Sequence, residues 1–150
     1  QQIARAVAPI HVSTGEHMSS RVLARQFLDS AAVGILQIDS ARVAGVNENI
    51  AILAMAALRG IPVFPHAGGV GLCEAVQHLA FFDFVAVSGD KENRAIEFVD
   101  HLHEHYVDPV KIRNGRYWPT DVPGSSQEMK NESRIIFGFP NGSEWTDSNA

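Results

Sequence analysis

The stretch Ile61-Pro-Val-Phe-Pro-His66-Ala-Gly-Gly-Val-Gly-Leu-Cys-Glu74 decides the fold of this chain. It begins with a short apolar run that ends in a polar residue, His66, and such a run predicts a β-strand. The glycines that follow predict a tight turn, and the amphipathic residues after them predict a helix. A strand, a turn and a helix in this order form the repeating unit of parallel α/β proteins.

The same unit recurs on both sides of this stretch, so the sequence predicts four βα units and a parallel sheet. Proline and glycine then interrupt the pattern from Pro109 onward. We therefore predict that residues 1–108 hold the four units and that residues 109–150 form an irregular tail of the same domain. The predicted strands are 8–14, 34–39, 61–66 and 84–88, and the predicted helices are 19–30, a segment from Asn47 or Asn49 to Leu58 closed by Gly60, a segment through Ala80, and 93–106.

The composition indicates one globular domain, because 45% of its 150 residues are apolar and 8% are aromatic. The net charge of −5 comes with scattered Lys and Arg residues, which argues against nucleic acid as a partner. The apolar runs are too short to span a membrane. A single cysteine, Cys73, excludes an internal disulfide, is interpreted as a structural thiol and fits a cytoplasmic protein.

Polar residues follow the predicted strands at the ends where parallel α/β proteins carry their reactive groups. Glu16 follows the first strand, Asp39 ends the second, His66 ends the third and Glu97 follows the fourth. We expect all four side chains to face one mouth. A hydrogen bond from the His66 ring to the Asp39 carboxylate would fix the tautomer of His66 and favour its charged form, as a general acid or base requires.

The spacing alone is also compatible with purely structural roles for these residues. Asp39 and His66 could simply cap helices, and Glu16 could belong to a solvated turn instead of a metal site. The glycines from Gly68 to Gly71 resemble a phosphate cradle, but the Lys-Ser/Thr of a P-loop is missing, which favours a tight turn that exposes His66.

A second histidine group lies further along the chain. His101, His103 and His105 could form a metal cluster and make this a small zinc protein. Histidines in the last turn of a helix are also favoured by the helix macrodipole, and we prefer that interpretation.

Several long segments, in the right order, resemble the mandelate-racemase branch of the enolase superfamily. Their residues are similar to those of its L-fuconate dehydratase group. The resemblance covers about residues 8 to 130. It implies an α/β fold that is the C-terminal half of a (β/α)₈ barrel, with about four βα units, the fifth to the eighth, plus an irregular tail. The matching segments are 13–17, 36–40, 46–49, 65–74, 76–78 and 96–103.

The resemblance also implies roles for the four strand-end residues. Glu16 would be the third carboxylate ligand of an essential Mg²⁺. Asp39 and His66 would form the family dyad, in which the histidine is the general acid on the departing 3-hydroxyl. Glu97 would help to hold the enolate. The second-strand lysine base and two further carboxylates of the family have no counterpart here, so the Mg²⁺ site is incomplete and we expect the isolated chain to be inactive.

The implied substrate is a small sugar acid, L-fuconate, and the implied product is 2-keto-3-deoxy-L-fuconate. Two alternatives stay open: another aldonate dehydratase or racemase of the superfamily, and a non-catalytic half-barrel that associates with itself. Four strands of eight leave open sheet edges. We therefore expect either a homo-oligomer or a missing N-terminal half, and a start without Met favours a fragment of a longer gene product.

Overall fold

The computed structural model describes residues 1–146, and its elements are short helices around a small parallel sheet. A π-helical segment, Asp83–Ser88, continues directly from α4, and a 3₁₀ turn covers His103–His105. The helices are α1 Gln2–Ala6, α2 Arg21–Asp29, α3 Val46–Ala57, α4 Leu72–Phe82, α5 Asn131–Phe137 and α6 Ser143–Thr146, and the strands are β1 Ser13–Thr14, β2 Ile35–Leu36, β3 Lys111–Arg113 and β4 Arg116–Trp118.

The parallel sheet joins the first three predicted strands in sequence order. β1 pairs with β2 in parallel, with Ser13 opposite Ile35. The segment 61–66 lies on the other side of β2, where parallel bridges join Leu36 to Val63 and Asp39 to His66. The bridge at Asp39 brings two predicted site residues to the same level of the sheet.

The main core lies between this sheet and the helices α2 and α3. Leu36, Ile38 and Ile52 are completely shielded from solvent, and Leu53 and Leu28 are nearly so. Residues 52, 53 and 56 fall on one face of α3 because an α-helix has 3.6 residues per turn. Full burial of each such side chain contributes about 2 kcal/mol of hydrophobic stabilisation, which fixes the strand ends relative to the helices.

The ends of the first two long helices differ in how they match the prediction. Ser20 caps α2, since its side chain accepts a hydrogen bond from the Leu23 N–H group, and Gly60 has the left-handed φ of 66° expected after α3. The predicted cap at Asn47 or Asn49 is wrong. α3 starts after Gly45, and the Asn49 side chain donates instead to carbonyl groups behind it.

The predicted fourth strand, 84–88, is wrong, because this segment stays helical. The Asp83 carboxylate accepts hydrogen bonds from Ser88 Oγ at 3.0 Å and from Arg94 Nε at 2.9 Å, which holds the segment at the end of α4. The position beside the third strand is occupied by Glu97, whose N–H group donates to the Pro65 carbonyl at 3.2 Å. The predicted helix 93–106 is also wrong, since 93–100 has no regular secondary structure.

The predicted irregular tail contains regular elements. β3 and β4 form an antiparallel hairpin, and α5 and α6 follow it. The N–H group of Val107 donates to the Glu128 carbonyl at 2.9 Å, and that of Lys130 donates to the His105 carbonyl at 2.8 Å. These bonds attach the tail to the end of the preceding segment. The last four residues of the predicted tail, 147–150, lie outside the described residues.

Among residues 1–146, the helices are all too short or too polar to cross a lipid bilayer.

Candidate active site

Four side chains meet at the carboxyl end of the parallel sheet, with the His66 imidazole at their centre. The Nε2 atom of His66 lies 3.2 Å from Glu16 Oε2 and 3.7 Å from Glu97 Oε2. Its Nδ1 atom lies 3.3 Å from Asp39 Oδ2. The structure thus brings together all four predicted site residues, and the His66 side chain is only 17% exposed.

Sheet register and one glycine place the residues on the first two strands. The His66 N–H group donates to the Ile38 carbonyl at 2.9 Å, which sets residue 66 beside residue 39. Gly15 precedes Glu16 and has a φ of 144°. A Cβ atom at Gly15 would lie 2.8 Å from the Gln37 carbonyl oxygen, so only glycine lets Glu16 approach β2 this closely.

The Asp39 carboxylate is 4% exposed and has three neighbours. Its Oδ1 atom accepts a hydrogen bond from the Ala41 N–H group at 2.8 Å, and its Oδ2 atom lies 3.4 Å from Arg42 Nε. The predicted hydrogen bond to His66 is not formed in this arrangement. His66 Nδ1 is buried and close to Oδ2, but the two groups lack hydrogen-bond alignment, so their contact is electrostatic.

Glu97 reaches the site from an irregular segment, not from the helix that the sequence predicted. Its Oε2 atom accepts a hydrogen bond from the Ala67 N–H group at 2.8 Å. Ala67 directly follows His66, so one backbone donor places the Glu97 carboxylate beside the imidazole. Charge-assisted bonds of this kind are stronger than bonds between neutral groups.

The glycine turn after His66 passes directly over the imidazole. A Cβ atom at Gly68 would lie 2.7 Å from His66 Nε2. The turn therefore needs glycine because of this close approach, which agrees with the tight-turn interpretation and gives no support to a phosphate cradle. The same turn covers the ring, so His66 is less exposed than predicted.

Two further residues contact the site and were not predicted as parts of it. Arg42 lies against Asp39, and its position three residues after the aspartate was the available sequence signal. Tyr117, on β4, donates from its hydroxyl group to the Glu97 carbonyl at 2.7 Å. Nothing in the sequence near Tyr117 indicates this contact, because it joins residues 20 positions apart.

The histidines at 101, 103 and 105 do not form a shared site. His103 Nδ1 pairs with Glu74 at 2.7 Å, whereas His105 Nδ1 lies 3.0 Å from Ser133 Oγ. Within residues 1–146, no three His, Cys, Asp or Glu side chains are arranged to hold a metal ion. The zinc-protein alternative therefore has no structural support in the described chain.

Comparison with known proteins places these features in a family context. A family model described as enolase C-terminal domain-like matches residues 1–133. The human protein Mitochondrial enolase superfamily member 1 is 50% identical over 145 residues, which are 95% of this chain and 33% of the human protein. Its crystal structure matches this one with a TM-score of 0.93 at 49% identity, covering 97% of this chain and 34% of the other.

Two dehydratases are also similar to this chain. L-galactonate dehydratase of Hypocrea jecorina is 47% identical over 131 residues, or 87% of this chain and 29% of that enzyme. L-talarate/galactarate dehydratase of Salmonella typhimurium LT2, solved with Mg and L-lyxarohydroxamate, is 25% identical with a TM-score of 0.71, covering 89% of this chain and 31% of the other. The chain spans about a third of the length of the curated relatives it matches.

The described residues do not by themselves build a site for Mg²⁺. Glu16 is the one predicted ligand, and its two carboxylate oxygens face histidines: Oε2 faces His66, and Oε1 lies 3.1 Å from His17 Nε2. Mg²⁺ prefers oxygen ligands in near-octahedral geometry. A single carboxylate flanked by imidazoles does not fit that demand.

Proposed function

Because this chain belongs to the enolase C-terminal domain-like family, we propose that it is part of an acid-sugar dehydratase that resembles L-fuconate dehydratase. The predicted fold class, an α/β C-terminal half of a (β/α)₈ barrel, is confirmed by the family match and the superposition. The observation that carries the proposal is the convergence of Glu16, Asp39 and Glu97 on His66.

The proposed reaction removes the proton next to the substrate carboxylate and expels the 3-hydroxyl group as water. In this proposal His66 is the general acid that protonates the departing hydroxyl, since expulsion of hydroxide without a proton is slow. Asp39, whose Oδ2 atom lies 3.3 Å from His66 Nδ1, orients the ring from the buried side once the two groups align as a hydrogen bond. Glu97, held by the Ala67 N–H group, helps to hold the enolate intermediate when its other carboxyl oxygen carries a proton, since only an O–H donor stabilises that negative charge.

The family's lysine base belongs to a strand without a counterpart in this chain. Glu16 remains a single predicted ligand for Mg²⁺. We accordingly propose that the 150 residues alone do not dehydrate a sugar acid.

Two substrates of one chemical class fit the proposal. L-Fuconate, converted to 2-keto-3-deoxy-L-fuconate, is the first, from the resemblance of the sequence segments. L-Galactonate is the second, favoured by the 47% identity to the Hypocrea enzyme. The two acids differ only in the hydroxyl group on carbon 6, so the same arrangement around carbons 2 and 3 serves both.

We propose that the sheet is completed either by an N-terminal half or by a second copy of the chain in the cytoplasm, with residues 1–108 as the half-barrel. β1 has a paired neighbour on one side only within the described chain. Light scattering coupled to size exclusion tests self-association: a dimer supports pairing of copies, and a stable monomer contradicts it.

A chimera tests the catalytic proposal. The matching third of L-galactonate dehydratase is replaced with this chain, and formation of the 2-keto-3-deoxy acid is measured from L-galactonate and from L-fuconate with Mg²⁺ present. We expect turnover of at least one acid. His66→Gln should lower kcat by about 10²- to 10⁴-fold, the usual contribution of a general acid.

His101→Gln is the matched control, because this exposed histidine is not among the groups that contact His66 or Glu97, and its loss should leave kcat unchanged. A folded chimera without turnover, or a His66→Gln chimera as active as its parent, would overturn the proposal. Circular dichroism and the melting temperature establish that each chimera is folded.

A further inference from the structure

Glu97 depends on tertiary contacts for its position, because residues 93–100 form no regular helix or strand. Two of the contacts come from the third strand and its turn. The Glu97 N–H group donates to the Pro65 carbonyl at 3.2 Å, and the carboxylate accepts from the Ala67 N–H group at 2.8 Å. The backbone carbonyl of Glu97 needs a third partner.

That partner is the hydroxyl group of Tyr117, which lies 2.7 Å from the Glu97 carbonyl oxygen. The ring of Tyr117 also packs edge-on against Phe98, with centroids 6.1 Å apart and an interplanar angle of 83°. Tyr117 thus contacts Glu97 and the residue after it. Both contacts hold the same short piece of backbone.

The β3–β4 hairpin directs Tyr117 toward the site. Side chains alternate across a strand, so Arg116 and Trp118 point away from the face that Tyr117 uses. Trp118 is 47% exposed and packs under Arg113, and Arg116 pairs with Glu92 at 3.2 Å. These outer contacts anchor the hairpin while Tyr117 faces inward.

The hydroxyl group of Tyr117 stays protonated and can donate its hydrogen bond to the Glu97 carbonyl at physiological pH. Burial, followed by its contact with Cys73, raises the pKa of Tyr117 well above the usual range of a phenol. The group therefore keeps its proton throughout the physiological pH range. A phenylalanine ring would fill the same space but would leave the Glu97 carbonyl without this bond.

We propose that Tyr117 is a positioning residue for Glu97, which couples the C-terminal hairpin to the candidate active site. Its hydroxyl group fixes the peptide of residue 97 and thereby aims the carboxylate at the Ala67 N–H group and His66. The catalytic consequence rests on the function proposed above for Glu97. The effect of Tyr117 on the position of Glu97 concerns this chain alone and can be tested without measuring enzyme activity.

Amide hydrogen exchange followed by NMR on the 150-residue chain tests the positional claim. Tyr117→Phe removes only the hydroxyl group. We expect the Ala67 amide to exchange about fivefold faster, as loss of one hydrogen bond implies. The His66 amide, bonded to the Ile38 carbonyl, should keep its rate and serves as the internal reference for global opening.

Two variants calibrate this measurement. Glu97→Gln removes the charge from the group that accepts the Ala67 hydrogen bond, and it should also accelerate hydrogen exchange of the Ala67 amide. Tyr106→Phe removes the hydroxyl group of the other tyrosine, which is buried and packs on Gly71, and it should leave exchange of the Ala67 amide unchanged.

An unchanged Ala67 rate in Tyr117→Phe overturns the proposal, and so does an equal acceleration at Ala67 and His66, which indicates a merely structural role. In the chimera, Tyr117→Phe should lower kcat about tenfold with little change in KM, because a misplaced group affects the transition state. If exchange at Ala67 responds but the chimera is inactive from the start, the function is wrong and the positioning stands.

Discussion

His103 Nδ1 lies 2.7 Å from Oε1 of Glu74, and its Nε2 atom lies 2.8 Å from the Val99 carbonyl oxygen. Both partners only accept hydrogen bonds when Glu74 is ionised, so both ring nitrogens have to donate and the imidazole has to be charged. Burial by itself would lower the pKa of His103, but the bonds to Glu74 and Val99 outweigh it and the pKa is raised. This pair joins α4 to the segment that precedes the tail.

Loss of His103 should destabilise the fold strongly. Glu74 is completely shielded from solvent, so His103→Ala leaves its charge with only the Val110 N–H group, 3.5 Å away, as a partner. The expected loss is about 3 kcal/mol in the free energy of unfolding, as for other broken buried ion pairs, measured by urea denaturation. The double variant Glu74→Gln/His103→Gln has no buried charge and should recover part of the loss. A His103→Ala chain as stable as its parent contradicts the buried-pair interpretation.

The same pair predicts a dependence of stability on alkaline pH. Because the pKa of His103 is higher in the folded chain than the value of about 6.5 in the unfolded chain, its contribution is fully present below that unfolded value. The contribution is lost as pH rises through the folded pKa. Urea midpoints recorded between pH 6 and pH 9 should fall for the parent chain and fall less for His103→Gln. Parallel curves for the two chains would argue against this linkage.

A carboxylate on α3 predicts the opposite dependence in acid. Glu48 Oε2 accepts from the Arg21 guanidinium at 2.6 Å, and Oε1 accepts from the Arg21 backbone N–H group. These two bonds lower the pKa of Glu48. Its contribution is present above the unfolded value of about 4.3 and is lost as pH falls through the folded pKa. Thermal unfolding from pH 5.5 downward should show a smaller acid loss in Glu48→Gln. Glu132→Gln, at an exposed glutamate on α5, is the control.

Gly15→Ala should disturb both stability and the site. The added Cβ atom would meet the Gln37 carbonyl oxygen at 2.8 Å, so β1 and β2 have to move apart near Glu16. We expect a loss of about 2 kcal/mol from this overpacking and backbone strain. Gly124→Ala is a matched control, since Gly124 has a similar φ of 134° but open space around it. A loss of equal size in both variants would assign the effect to the backbone angle alone.

The strands that carry the site could be predicted because their hydrophobic pattern and the rules for parallel sheets point to the same arrangement. Segments 34–39 and 61–66 are short apolar runs with polar ends, and parallel strands gather their carboxyl ends at one edge. That rule alone places Asp39 beside His66. The same rule also places Glu16 at this edge, because Glu16 follows β1, which is parallel to β2.

The segment 84–88 could not be assigned from its pattern. Its residues, Phe-Val-Ala-Val-Ser, suit a buried strand or a buried helical turn equally well, since four apolar positions followed by a serine do not define a period. Contacts of Asp83 with Ser88 and Arg94 decide the outcome, and they depend on where Arg94 lies in the fold. Tyr117 was missed for the same physical reason: its contact with Glu97 arises from the hairpin's packing.

The crowding of Glu16, Asp39 and Glu97 around one ring gives this rim a negative electrostatic potential. Arg42 beside Asp39 is the one permanent cation among these contacts, so the three carboxylates outnumber it and an approaching sugar acid meets repulsion. Added salt screens that repulsion. Encounter of an anionic ligand with this rim should therefore become faster as ionic strength rises, unless a bound cation supplied from beyond these residues reverses the field.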